Sequence, residues 1–147
     1  MRRNDRHHAD VFRRRSDVLF ASIHEAKIFP HSGPLRDAGS GTGVGYTINL
    51  PVPTGSDGER WLSLLEHIVL PAATAFGPEL VLISAGFDAH RADPLGGCLL
   101  ETSDYARMAR HVRDLAALTD APIGAPTSCR SWYSVSDSDT TACLETL

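Results

Sequence analysis

The run Leu80-Val81-Leu82-Ile83-Ser84-Ala85-Gly86 is apolar almost without interruption. A strand that alternates polar and apolar residues can leave one face in water; a continuous run this short is read as a strand buried on both faces, the mark of a parallel sheet covered by helices. Asp17-Val18-Leu19-Phe20-Ala21-Ser22-Ile23-His24 is a second such run. Val44-Gly45-Tyr46-Thr47-Ile48-Asn49-Leu50 instead alternates with period two, which predicts a strand with one buried face, ended by Pro51 and Pro53. Trp61, Leu64, Leu65, Ile68 and Val69 recur at helical spacing in a helix starting near Gly58, with Pro71 as a kink or boundary. A further stripe of Tyr105, Met108, Val112 and Leu115 predicts a helix capped by Thr102 or Ser103. Strand, helix, strand, loop, helix is the order of an α/β fold with a parallel sheet.

Between Phe29 and Gly43 two prolines and four glycines exclude a helix and predict a long, sharply turning loop. The C-terminal part follows neither period. Ala125 to Thr141 holds five serines, three threonines and two aspartates, and is expected to be poorly ordered. A strand is expected near Ala121 to Ala125, and Thr141 to Leu147 reads as the end of a helix.

The chain has 147 residues, 42% of them hydrophobic, with a formal net charge of −4. That suits one globular domain or part of a larger one. No apolar run approaches the ~20 residues of a membrane span, and no signal-like start is present, so a membrane or exported protein is not expected. Cys98, Cys129 and Cys143 form no C-x-x-C pair, which points away from a disulfide framework or cysteine zinc cage and toward a reducing, cytoplasmic compartment. Six of thirteen arginines lie in the first fifteen residues. With Phe12 the only aromatic among them and an acidic chain overall, a solvated terminus is the favoured reading over nucleic-acid binding.

Chemistry concentrates in Ser84 to Gly97, directly after the buried run. The carboxyl ends of parallel strands open onto the ligand crevice of such folds. Asp88, His90 and Asp93 offer there the oxygen and nitrogen donors suited to a divalent metal. The same residues also admit a local role, with Asp88 capping the next turn and Asp93 forming an Asx-turn ahead of Pro94.

Val81 to Gly97 resembles the signature of the histone deacetylase family, which includes acetylpolyamine amidohydrolases and acetoin-utilisation proteins. Other stretches agree in the same order: Asp17 to His24 resembles the family strand ending in Ser-Leu-His, Phe29-Pro30-His31-Ser32-Gly33 its tunnel-wall loop, and Gly39 to Pro51 its glycine-rich loop leading into Gly-Tyr-x-x-Asn-x-Pro. The resemblance covers roughly residues 11 to 120. It implies a three-layer α/β/α arginase-deacetylase fold, present as an incomplete half-domain, and Zn2+-assisted hydrolysis of acetyl-lysine or acetylpolyamine amides. It further implies that Asp88 is a metal ligand, that Ser22 belongs to a monovalent cation (K+) site, and that Phe29 and Leu95 line the substrate tunnel, with His31 at its rim.

The flanks depart from the family pattern. Asn4-Asp5-Arg6-His7-His8 matches only the Asp-x-His-His part of the zinc motif, so Asp5 and His7 are ligands only if a shortened loop still reaches Asp88. The catalytic Gly-His-His-Ala motif has no counterpart, and Tyr133 lacks the glycines that precede the family's oxyanion tyrosine. The pattern is lost near residues 9 and 125, as a shift of reading frame at each point, or a natural truncation, would produce. The expectation is therefore a catalytically incomplete deacetylase, or else a non-catalytic remnant or interaction module that self-associates through an exposed sheet edge.

Overall fold

The computed structural model describes residues 8–26, 33–124 and 141–146. A short helix α1 (His8–Phe12) leads into β1 (Val18–Glu25), and a one-turn 3-10 helix (Gly41–Gly43) precedes β2 (Thr47–Val52). Helix α2 (Gly58–Leu64) continues through a π-helical segment, Leu65–Val69, into α3 (Leu70–Phe76). Then come β3 (Leu80–Ala85), the long helix α4 (Thr102–Thr119), β4 (Ile123–Gly124) and β5 (Thr141–Thr146). The five strands form one sheet in the order β2-β1-β5-β3-β4, and every pairing is parallel.

The continuous apolar runs are buried on both faces, as their composition requires. On one face Ala21 and Ile23 of β1 and Val81 of β3 join Trp61, Leu62, Leu65, Val69, Met108 and Val112 from the helices in the main core. On the other, Val18, Phe20 and Leu82 pack with Phe12 of α1. Helices α2 to α4 thus cover one face of the parallel sheet, and the short α1 packs on the other.

Several expected boundaries shift, each for a local reason. Strand β2 runs through Pro51 instead of ending there. It is an edge strand paired only with β1, so a missing N–H on its free side costs no ladder bond. Neither Thr102 nor Ser103 caps α4: Glu101 is the N-cap, and its N–H donates to the Asp104 carboxylate at 2.9 Å. Pro71 interrupts the helical ladder, and the preceding turn widens so that the Leu70 N–H reaches the Leu65 carbonyl. The largest correction is at the C-terminus, where 141–146 is a strand at the centre of the sheet, not the end of a helix. A slot with a ladder on each side selects extended backbone whatever the local composition suggests. The expected disorder of 125–140 lies outside the described residues, and the expected strand near 121–125 is the two-residue β4.

Candidate functional site

At the carboxyl end of β3 the chain turns through Gly86 and Phe87 into Asp88, where the loop doubles back on itself. The Leu100 N–H donates to the Ala89 carbonyl and the Arg91 N–H to the Leu100 carbonyl, closing a bridge between His90 and Leu100. Gly96 lies under this turn: a Cβ placed there would stand 1.8 Å from the Asp88 carbonyl oxygen. The neighbouring Gly97 is held from the sheet. Glu25, buried at the end of β1, accepts from the Gly97 N–H at 2.7 Å and from the Thr54 hydroxyl at 2.5 Å.

Asp88 is partly buried, and its Oδ1 is shielded from solvent with no hydrogen-bond partner among the described residues. A carboxylate oxygen buried without a donor is costly, so a site of this kind favours a cation or an additional donor. Beneath it lies Tyr105, whose ring centroid is 5.2 Å from that of Phe87 and 6.3 Å from that of His90. Its hydroxyl is also buried without a partner. Burial first, then the Asp88 charge, pushes the phenol up to about 12. Cys98, next to the same turn, is buried, and burial together with Glu25 pushes its thiol up to about 11. It therefore packs as a neutral, apolar side chain.

The structure separates the three donors that the sequence grouped. His90 Nδ1 accepts from the Ala92 N–H at 3.2 Å, and its Nε2 lies 3.4 Å from the Thr102 hydroxyl. Asp93 Oδ1 accepts from Leu95 N–H at 2.8 Å and Gly96 N–H at 3.2 Å, which is the Asx-turn reading of that residue. Of the three, only Asp88 has a buried oxygen with no hydrogen-bond partner among the described residues. Among the described residues no group of three or more His, Cys, Asp or Glu side chains is placed to hold a metal. Asp88, His90 and Asp93 are thus not gathered into one three-ligand cluster.

Ser22 is buried in β1, and its hydroxyl donates to His24 Nδ1 at 3.0 Å, while His24 Nε2–H donates to the Gly33 carbonyl at 3.1 Å. This relay ties the sheet to the glycine-rich loop. Leu95 is 88% exposed and Phe87 65% exposed, so both are apolar side chains presented outward from the Asp88 loop. Asp5, His7, Phe29, His31 and Tyr133 lie outside the described residues. Sequence reasoning missed Glu25 and Tyr105. The only sign of Glu25 was a carboxylate at the end of an apolar strand, and Tyr105 read simply as one member of a helical stripe.

The sequence profile described as the histone deacetylase domain matches residues 5–125. Histone deacetylase 10, chloroplastic, of Oryza sativa subsp. japonica is 37% identical over 117 residues, which cover 77% of this chain and 26% of that protein. The histone deacetylase-like amidohydrolase of Pseudomonas aeruginosa is 36% identical over 118 residues, 76% of this chain and 31% of the relative. Among solved structures, the HDA15 HD domain superposes with a TM-score of 0.69 at 30% identity, over 95% of this chain and 35% of that one. The acetylpolyamine aminohydrolase from Burkholderia pseudomallei gives 0.69 at 26% identity, over 94% and 34%. The chain spans about a quarter to a third of the length of these relatives. With its parallel sheet, its covering helices and Asp88 at the carboxyl end of β3, the chain belongs to the histone deacetylase family and has the arginase-deacetylase fold.

Proposed function

We propose that this chain carries part of the active site of a zinc-dependent amidohydrolase that removes acetyl groups from acetyl-lysine or acetylpolyamine substrates. The observation that carries the reading is the buried, partnerless Asp88 Oδ1 at the carboxyl end of β3, in a chain of this family. An orphaned carboxylate oxygen suits a divalent cation, so the donor at hand fits Zn2+. Zinc, when bound, supplies Lewis-acid polarisation of the amide carbonyl. Asp88 would hold it, with Asp5 and His7 as the further ligands in this sequence. The Gly96–Gly97 turn and Glu25 fix the backbone from which Asp88 projects. Phe87 and Leu95 offer apolar surface to an acyl chain, the family resemblance adds Phe29 to the same tunnel, and Ser22 contributes to a monovalent cation site.

The chain by itself is proposed to be catalytically incomplete. Its sequence offers no histidine pair in the family's Gly-His-His-Ala context and no tyrosine after Glu-Gly-Gly, the groups that would move the proton and stabilise the oxyanion. Among the described residues no helix is long and apolar enough to cross a membrane. A cytoplasmic setting is part of the proposal. The second reading, a non-catalytic interaction module, is favoured by one observation: the central strand β5 lies beyond the matched residues 5–125.

Calorimetric titration with Zn2+ or Co2+, beside an assay on an acetyl-lysine peptide and an acetylated polyamine, tests the proposal. Asp88→Asn is expected to weaken metal binding at least tenfold without changing the fold. Equal affinity in the variant would remove Asp88 from the site. Substrate turnover by the chain alone would overturn its incompleteness.

A further inference from the structure

Among the described residues, three buried side-chain atoms have no hydrogen-bond partner: Trp61 Nε1, Asp88 Oδ1 and the Tyr105 hydroxyl. Cys98 links them, since its thiol feels both Trp61 and Asp88, and the Tyr105 phenol in turn feels Cys98. The Trp61 N–H has the Cys98 sulfur beside it as a weak acceptor. That leaves one acceptor, Asp88 Oδ1, and one neutral donor, the Tyr105 hydroxyl. Each is costly to bury alone, and the two are complementary.

The first turn of α4 grips the loop on both sides of Asp88. Arg91 donates to the Glu101 carboxylate at 2.6 Å, and the Thr102 hydroxyl lies 3.4 Å from His90 Nε2. The Tyr105 ring packs on Phe87 and His90, with centroids 5.2 and 6.3 Å away. Residues 87, 90 and 91 are thus all held by α4, and Asp88 lies between them. Of the charges around the phenol, Asp88 acts on it most strongly, ahead of Cys98, Asp104 and Asp93. Burial keeps the hydroxyl protonated, so it has a proton to donate. It makes no direct hydrogen bond to Oδ1, and buried polar groups so placed are joined by a bridging water.

We propose that Tyr105 is a positioning residue for Asp88, its hydroxyl donating through one bridging water to Oδ1 and fixing the rotation of the carboxylate. A carboxylate oxygen accepts from more than one direction, so Oδ1 can take this bond and still face a cation. Where Asp88 holds a metal, Tyr105 becomes the outer support of that ligand, a role worth roughly 10- to 100-fold in metal affinity. This consequence rests on the deacetylase reading given above, whereas the hydrogen bond itself does not.

Tyr105→Phe keeps the ring against Phe87 and His90 and removes only the hydroxyl. In the metal-free full chain it is expected to raise the unfolding constant, read from urea titration, about fivefold. In an Asp88→Ala background the same change should stay within about twofold. A hydroxyl without a partner predicts the opposite sign, because deleting a buried unpaired group stabilises. An unchanged or smaller unfolding constant in Tyr105→Phe, or an equal rise in both backgrounds, would overturn the proposal. With tyrosines labelled at the ring carbon bearing the hydroxyl, Asp88→Ala should shift the Tyr105 NMR signal and leave that of Tyr46 in place. A stationary Tyr105 signal would count against it equally. In calorimetric titration with Zn2+, Tyr105→Phe should bind about tenfold more weakly than the unaltered chain, and equal affinity would remove Tyr105 from its supporting role. An unaltered chain that takes up no Zn2+ would refute the metal reading of Asp88, and the urea cycle would still decide the role of Tyr105.

Discussion

A methyl group at residue 96 would stand 1.8 Å from the Asp88 carbonyl oxygen, a backbone atom that cannot rotate away. Gly96→Ala must therefore displace the turn that carries Asp88, and overpacking of this kind costs about 1–3 kcal/mol. A lower urea midpoint with an unchanged slope is the expected result. Replacing Glu25 by Gln should be milder than replacement by Ala, since the amide oxygen can still accept from Gly97 N–H, whereas Ala leaves that donor and Thr54 without their partner. Asp88 stood out as a candidate in the sequence because it follows a buried strand, although the residues alone also admitted a turn-capping role and only the family resemblance favoured the metal. Glu25 was not, because its partners lie at Thr54 and Gly97, far along the chain, and no spacing rule connects them.

Helix α2 begins at Gly58 behind Asp57, whose carboxylate accepts from the Arg60 N–H at 3.1 Å. Asp57→Ala should destabilise the protein by about 1 kcal/mol, the usual worth of an N-cap, as read in thermal or urea unfolding. The helices themselves were readable from period alone, since Met108, Val112 and Leu115 are buried as their stripe requires. The cap of α4 was not, because Thr102 and Ser103 have the right chemistry but the Glu101–Asp104 pair sets the start one residue earlier. Pro51 misled for a related reason. A proline ends a strand in the middle of a sheet and is harmless on the free side of an edge, and only the strand order distinguishes the two.

For the whole molecule the buried acids that stay neutral set the alkaline limit. The folded Cys98 thiol keeps its proton to about 11 against 9.0 for the free group, and the Tyr105 phenol to about 12 against 10.0. Unfolding releases these protons at lower pH than the native state does, so stability is unaffected by them below pH 9 and falls as the pH rises toward 11 and beyond. Urea midpoints at a series of alkaline pH values should show that fall, and Cys98→Ala should remove the part that begins at pH 9 and leave the part that begins near pH 10. At this scale the sequence by itself determined the α/β class, the parallel strands β1 and β3, the helical stripes and the placing of Asp88 at a strand's carboxyl end. Each of these follows from short-range periodicity, which burial imposes directly on neighbouring residues. Only the tertiary structure decided that 141–146 is the central strand, that His90 and Asp93 spend their donor atoms on their own loop, and that Glu25 clamps Gly97. Those outcomes depend on which groups distant in sequence meet across the sheet, and hydrogen-bond demand in a buried slot or turn overrides what any local segment would prefer alone.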